Sequence, residues 1–148
     1  MNAYFDSHCH LNDEALYPKR KEIVEEALKN GVRTLLVVGY DVPSSLKAVE
    51  IAREFEGCYA AIGFQPENLS DAKDEDLDLF RELAKEKKVV AIGEIGLDYH
   101  WFKEAKDRLN QKRWFIKQIE LANELDLPVS IHAREALGDT LEILKEHP

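Results

Sequence analysis

The chain has 148 residues, of which 45% are hydrophobic and 33% charged, and its formal net charge at pH 7 is −9. This composition excludes a disordered or fibrous protein, and no apolar stretch is long enough to span a membrane. The negative charge excludes a broad basic surface for nucleic acid, although divalent metal ions can supply positive charge locally.

Strand and helix patterns alternate along the chain. Five strands are predicted: one that starts at Tyr4 and ends in residues 6–10, then Val32–Val38, Cys58–Ile62, 89–92 and 128–131. The fourth strand is a continuous apolar run, and we expect it to break at Gly93 and again at Gly96.

Helical spacing of apolar residues predicts five helices, at 19–30, from Pro43 and Ser44 onward, and at 74–87, 106–125 and 137–145. Each helix has an apolar stripe expected to face the sheet. The stripes include Leu28 in the first helix and Leu46 in the second.

Strands that alternate with helices indicate a parallel sheet built from five βα units, within one domain that spans residues 1–148. Two architectures fit. The first is the initial five units of an eight-unit TIM-type barrel, which typically needs about 250 residues. The alternative is an open five-stranded doubly wound sheet, which closes naturally near the present length. Length alone favours the open sheet, whereas the motifs favour the barrel.

Polar side chains follow the strands at their carboxyl ends, where both parallel architectures bind ligands. They are His8, His10, Gln65, Glu94 and His132. On a strand, residues two apart share a face, so His8 and His10 can reach one ion while Cys9 points into the core. Imidazole and carboxylate groups are suitable ligands for zinc, manganese and similar ions. The set therefore predicts a metal site.

Three segments together resemble the TatD-type metal-dependent deoxyribonucleases, which belong to the amidohydrolase-like TIM-barrel hydrolases. The segments are residues 6–11 (DSHCHL), 93–100 (GEIGLDYH) and 131–134 (IHAR). Residues 111–127 also look like the helix that precedes the fifth strand of that family. The resemblance covers nearly the whole chain, and its most specific part is the GEIGLDY run.

The resemblance implies two divalent ions, Mg, Mn or Zn. It assigns His8 and His10 to the first ion, Glu94 to a catalytic carboxylate that bridges the two, and His132 to the second. Arg134 matches a position near the substrate phosphate, although a solvated loop arginine is an equal alternative. Asp98 and Tyr99 lie within the motif and could simply shape the loop. Asp6 could orient a histidine or cap a turn.

Two departures from the family pattern bear on activity. Gln65 stands where the family usually has histidine; it can bind a phosphate or a metal-bound water but cannot take up a proton near pH 7. The family also draws a histidine from the sixth strand and an aspartate from the eighth. We therefore expect the chain to be the N-terminal portion of a longer protein, or a truncated relative. On its own it should be a poor or inactive hydrolase that is prone to self-association through open sheet edges.

The implied activity is metal-dependent hydrolysis of phosphodiester bonds, with DNA as the substrate and trimming of single-stranded ends as the reaction. The alternatives are an amide or lactone hydrolase of the same superfamily, and a catalytically inactive binding or scaffold domain. The sequence shows no signal peptide, and its two cysteines are too few for a disulfide framework, so a cytoplasmic protein is expected.

Overall fold

The computed structural model describes residues 2–148. Its sheet has five parallel strands: β1 (Tyr4–Cys9), β2 (Val32–Val38), β3 (Cys58–Ile62), β4 (Val89–Asp98) and β5 (Val129–Arg134). They lie in the order β1-β2-β3-β4-β5. Sequential order is that of a TIM-type barrel, whereas a doubly wound sheet reverses its order at a switch point. The barrel-type prediction is confirmed, and the open doubly wound alternative is wrong.

A helix follows each strand, and the outer layer consists of α1 (Arg20–Lys29), α2 (Val42–Glu54), α3 (Asp74–Leu83), α4 (Ala105–Leu125) and α5 (Leu137–Glu146). Short 3-10 helices occupy Tyr17–Lys19 and Pro66–Asn68. No helix between residues 2 and 148 combines the length and apolarity that crossing a membrane requires. The start of α2 is fixed by a capping box, in which Asp41 Oδ1 accepts from the Ser44 backbone N–H at 2.8 Å.

The main core lies between the sheet and the helices. Along β2, Leu35 and Val37 face this layer, whereas Leu36 and Val38 face the other side with small residues from β3 and β4. The expectation that Leu28 and Leu46 face the core is wrong, since they are 48% and 40% exposed. The buried side of α2 combines Val49 and Ile51 with small residues such as Ser45 and Ala48, and Leu46 lies on its outer flank.

The fourth strand does not end at Gly93 as expected but continues to Asp98. Gly93 pairs with Ser130 and Ile95 with Ile131, so Glu94 is an extra residue in β4 relative to β5. The bulge explains why Ile92 and Ile95, three positions apart, are both fully buried in the helix-side core. It also turns Glu94 out of regular alternation, at the carboxyl end of the sheet.

The two glycines of β4 mark close approach to β5 rather than the end of a strand. A Cβ atom on Gly93 would lie 2.7 Å from Ser130 Cβ, and one on Gly96 would lie 1.9 Å from the His132 carbonyl oxygen. Gly96 also has a φ of +146°, which L side chains rarely adopt. Only glycine at these positions lets the two strands pair through the segment that carries Glu94 and His132.

Strand β1 has a similar irregularity beside its histidines. Asp6 pairs with Leu35 and Cys9 with Val37, so β1 uses three residues where β2 uses two. Within this segment Asp6 Oδ1 accepts from the backbone N–H of His8 at 3.1 Å. Of the two roles that the sequence allowed for Asp6, this hydrogen bond corresponds to capping a turn.

Two buried glutamines on α4, two helical turns apart, hold the ends of two strands. Gln111 accepts from the Asp98 backbone N–H at 2.9 Å and donates to the Asp98 carbonyl at 3.0 Å. Gln118 makes the same pair of bonds to Phe64, at 2.7 and 3.0 Å. Each amide thus replaces the partner that a strand end would lack, which fixes the carboxyl edge of the sheet.

We expect Gln111→Leu to lower the free energy of unfolding by about 2–4 kcal/mol, because it leaves the buried N–H and C=O of Asp98 without hydrogen-bond partners. The measurement is equilibrium urea unfolding. Glu120→Leu, an exposed position on the same helix, is the matched control and should change stability by less than about 0.5 kcal/mol. Equal effects of the two variants would show that the hydrogen bonds of Gln111 to Asp98 do not stabilise the fold.

Candidate metal centre

The structure brings His8, His10 and Glu94 together at the carboxyl end of the sheet. His8 Nε2 lies 3.2 Å from His10 Nε2. Glu94 Oε2 lies 3.7 Å from His8 Nε2 and 3.5 Å from His10 Nε2. Ligands about 2.1 Å from a metal ion at angles of 90–120° are themselves roughly 3.0–3.6 Å apart. The three donor atoms therefore fit one divalent ion.

The outer nitrogens of the two histidines are already engaged. His10 Nδ1 donates to the Val38 carbonyl at 2.9 Å, so its Nε2 has a free lone pair. His8 Nδ1 lies 3.0 Å from Ser130 Oγ on β5. Partners of this kind orient ligating histidines in metal sites, and here they aim both Nε2 atoms at one point. Asn12 also donates to the Val38 carbonyl, at 3.0 Å, which anchors the loop after β1 to β2.

The Glu94 carboxylate lies between the histidine pair and His132. Its Oε2 faces His8 and His10, and its Oε1 is 3.1 Å from His132 Nδ1. Burial of Glu94, which is 7% exposed, disfavours its charge. The hydrogen bond from His132 and the charges of the histidines nevertheless lower the pKa of Glu94 below its ordinary value. Glu94 is thus an ionised, buried carboxylate with histidines on both sides.

His132 joins this group to a second one that contains Asp98 and Glu67. His132 Nε2 lies 2.8 Å from Asp98 Oδ2. One ligand atom from each of Glu67, Asp98 and His132 lies within 4.8 Å of the others, so this group also has the composition of a metal site. The bond to Glu94 raises the pKa of His132 to about 9 against the effect of burial, with a smaller contribution from Asp98.

The two carboxyl groups of this second cluster differ in their acidity. Burial and then the hydrogen bond with Asp98 raise the pKa of Glu67. Burial acts on Asp98 in the same sense, but the bonds from His132 and from the backbone N–H groups of His100 and Trp101 lower its pKa. Asp98 is therefore the more acidic carboxyl group of the pair.

Sequence reasoning gave Asp98 only a possible loop-shaping role and did not identify Glu67. Asp98 is completely buried, and a buried aspartate needs charged or hydrogen-bonding partners. Asp98 could have been predicted from its position at the end of β4. It was not, because the strand was expected to break at Gly93. Glu67 follows directly after Gln65-Pro66 at the end of β3, at the same edge of the sheet.

The predicted substrate-binding residues lie at the same edge but outside the two clusters. The side-chain amide of Gln65 donates to Asn68 Oδ1 at 2.6 Å. The exposed Arg134 points toward the loop after β4, where its guanidinium lies 5.6 Å from the centroid of the Trp101 ring. Cys9 packs against the helix-side core, and burial raises the pKa of its thiol to about 11.

The family model described as "TatD related DNase" matches residues 5–148 of the chain. A protein of Bacillus subtilis described as "Uncharacterized metal-dependent hydrolase YabD" is 46% identical over 142 residues, which are 96% of this chain and 55% of that protein. A Cronobacter sakazakii protein described as "3'-5' ssDNA/RNA exonuclease TatD" is 36% identical over 140 residues, 95% of this chain and 52% of that one.

A solved structure gives the same relationship. The crystal structure of the TatD homologue YJJV from Escherichia coli has a TM-score of 0.88 and 28% identity, and the match covers 97% of this chain and 56% of that one. The chain thus spans about half the length of the relatives that it matches.

We expect Glu94→Gln to weaken Mn²⁺ binding more than His132→Ala does, by roughly 100-fold or more against roughly 10-fold. Glu94 faces both histidine groups and carries the negative charge, whereas His132 contributes one neutral ligand. Isothermal titration of the protein and both variants with Mn²⁺ measures the difference. Glu56→Gln, an exposed acid in the loop before β3, is the control. Equal losses from the two variants, or a reversed order, would show that Glu94 does not bridge.

Proposed function

The chain belongs to the TatD related DNase family, and from that premise we propose that its protein is a divalent-metal-dependent phosphodiester hydrolase that trims the ends of single-stranded DNA. The observation that carries the proposal is the position of the Glu94 carboxylate, with one oxygen toward His8 and His10 and the other toward His132. One carboxylate between two sets of ligands is the arrangement required to hold two cations close together.

In the proposed site His8, His10 and Glu94 would hold one ion, and Glu94 and His132 would hold another. Mg²⁺, Mn²⁺ and Zn²⁺ are all compatible with these donors. When bound, such ions supply Lewis-acid activation of the phosphodiester and of the attacking water. The remaining ligands implied by the family resemblance would come from strands other than the five described, and residues 1–148 would contribute to one hydrolase domain.

The chain's own residues orient the ligands and balance their charge. Ser130 and the Val38 carbonyl fix the rings of His8 and His10. Asp98 accepts from His132 and keeps the ring turned toward Glu94, while Gln111 holds the Asp98 backbone. In the absence of a cation the proton on His132 balances the two carboxylates, so a cation at this point would take the place of that proton.

Two residues are proposed to contact the substrate. Arg134 supplies a positive charge at the edge of the site for the phosphate. Gln65 would have to release its hydrogen bond to Asn68 before its amide could contact a phosphate or a water. Since glutamine cannot carry a proton near pH 7, proton transfer is assigned to other groups. We propose a cytoplasmic location, where thiols such as Cys9 and Cys58 remain reduced.

The first test is a nuclease assay of the protein that contains the complete proposed hydrolase domain, with single-stranded DNA labelled at either end, in Mn²⁺ or Mg²⁺. Progressive shortening that EDTA abolishes is the expected result, and Glu94→Gln should lower kcat/KM at least about 100-fold because it removes the charge between the two sets of ligands. Glu56→Gln, at the opposite end of the sheet, is the control expected to retain activity.

The outcome also separates the alternatives. Metal-dependent cleavage of lactones or amides with no cleavage of DNA would replace the proposal with a different hydrolase. No hydrolysis of any of these substrates, together with metal or DNA binding, would indicate an inactive binding domain. Cleavage that survives EDTA or Glu94→Gln would place the chemistry elsewhere in the protein.

We also propose that residues 1–148, as an isolated chain, self-associate through the β1 edge. Within residues 2–148, β1 pairs only with β2, and its Tyr4 and Phe5 are 57% and 60% exposed. An edge strand with exposed aromatic side chains favours pairing with another copy.

Size-exclusion chromatography with light scattering should show a dimer or larger species for this chain, and the double change Tyr4→Lys and Phe5→Lys should shift it toward monomer because edge lysines oppose strand pairing. Leu109→Lys, at an exposed apolar position on α4, is the control and should not shift it. A monomeric parent chain, or a double variant that remains associated, would refute this interface.

A further inference from the structure

Trp101 is an exposed aromatic residue immediately beyond β4. Its side chain is 64% exposed, whereas the other tryptophan, Trp114, is 3% exposed in the core. Burial of an aromatic side chain of this size is favourable, so a surface that covers the ring would be stabilised by it. The Trp101 ring is therefore available for contact with a ligand at this edge of the sheet.

Neighbouring side chains hold the Trp101 ring in place. The His100 ring meets it edge-on, with centroids 4.5 Å apart and planes at 88°. His100 Nδ1 is in turn 2.9 Å from Glu135 Oε1, in the segment after β5. The Arg134 guanidinium lies over the ring, 5.6 Å from its centroid, within the range of a cation–π contact. The indole is thus exposed yet pre-positioned by groups from two loops.

Trp101 and its neighbours are connected directly to the candidate metal centre. Asp98 Oδ1 accepts a hydrogen bond from the backbone N–H of His100 at 2.9 Å, and Asp98 Oδ2 lies 2.8 Å from His132 Nε2. Arg134 is two residues beyond His132 on β5, so the two side chains share a face and lie roughly 7 Å apart along the strand. A group that stacks on Trp101 therefore lies at the same edge of the sheet as the site, next to Arg134.

Within the chemistry proposed above, on which this inference rests, we propose that Trp101 with Arg134 forms a stacking platform for one nucleobase of a single-stranded nucleic acid, next to the scissile phosphate. Every nucleobase offers a flat π-face, and stacking on an aromatic side chain is worth about 1–3 kcal/mol per base. Arg134 adds a positive charge for the adjoining phosphate in a protein whose net charge is −9.

This arrangement also defines the class of substrate. Bases within a duplex are already stacked on their neighbours and cannot lie on the indole without being unpaired. A single strand or a frayed end presents its bases freely. The platform therefore selects single-stranded ends through a base contact that is independent of sequence, and it compensates for the absence of a long basic track.

Equilibrium binding in EDTA tests the platform without hydrolysis. The probes are oligo(dT) and an abasic oligonucleotide with the same number of phosphates, each competing against one labelled oligo(dT) reporter. The protein should bind oligo(dT) roughly 5- to 150-fold more tightly than the abasic strand, as expected for about 1–3 kcal/mol of stacking. Trp101→Ala should remove most of that preference, and Trp101→Phe should retain part of it.

Leu109→Ala, at a side chain that is 69% exposed on α4, is the control for loss of an exposed apolar group and should keep the full preference. Arg134→Ala should weaken binding of both strands by a similar factor, because its charge acts on the phosphate. Circular dichroism and thermal melting establish that each variant is folded.

The platform is refuted if the protein binds both strands equally, or if Trp101→Ala keeps the preference for oligo(dT). This result is independent of catalysis. Loss of the base preference in Trp101→Ala, alongside a failed Mn²⁺-dependent nuclease assay, would support the platform and reject the hydrolase. The opposite pair of results would support the hydrolase and reject the platform.

Discussion

The contact on which the rest of the site depends is the Glu94 carboxylate, buried between histidines that come from strands far apart in the sequence. A carboxylate that is 7% exposed is unfavourable unless positive charge surrounds it. His132 donates to Glu94 and lowers its pKa, and this contact forms only where β4 and β5 bring their carboxyl ends to the same edge as β1. The extra residue in β4 directs Glu94 to this edge, and the glycines beside it permit the close pairing with β5.

Most of the fold was readable from hydrophobic patterning, because β2, β3 and the start of β4 are short apolar runs that alternate with helices carrying apolar stripes. The order of the strands was not readable from that pattern, since both barrel and doubly wound sheets consist of the same βα units. The choice came from the resemblance of residues 93–100 to a known family. Leu46 was misplaced because the inner side of α2 includes small residues such as Ser45 and Ala48, and hydrophobicity alone does not identify them. Leu28 was misplaced because Val24 is the buried residue of α1.

The sequence identified the site residues that directly follow a predicted strand end. It did not identify those whose position depends on backbone geometry. His8, His10, Glu94 and His132 were singled out by their positions, and the structure brings them together. Asp98 was obscured because the bulge at Glu94 changes the alternation of β4, and no side-chain pattern reports a bulge in advance. Glu67 lies in a short 3-10 helix after β3, and its proximity to Asp98 depends on how that loop folds back.

The sequential strand order has a consequence for how the molecule is made. Each strand pairs with the one synthesised just before it, so every new βα unit can dock on an existing edge as it leaves the ribosome. The histidines of β1 emerge first, and Glu94 and His132 reach them only with the fourth and fifth units. At about 5–20 residues per second, Glu94 follows His10 by roughly 4–17 seconds. During that time the nascent chain has an exposed histidine pair without its carboxylate, so any capture of metal by that pair precedes the closure of the site around it.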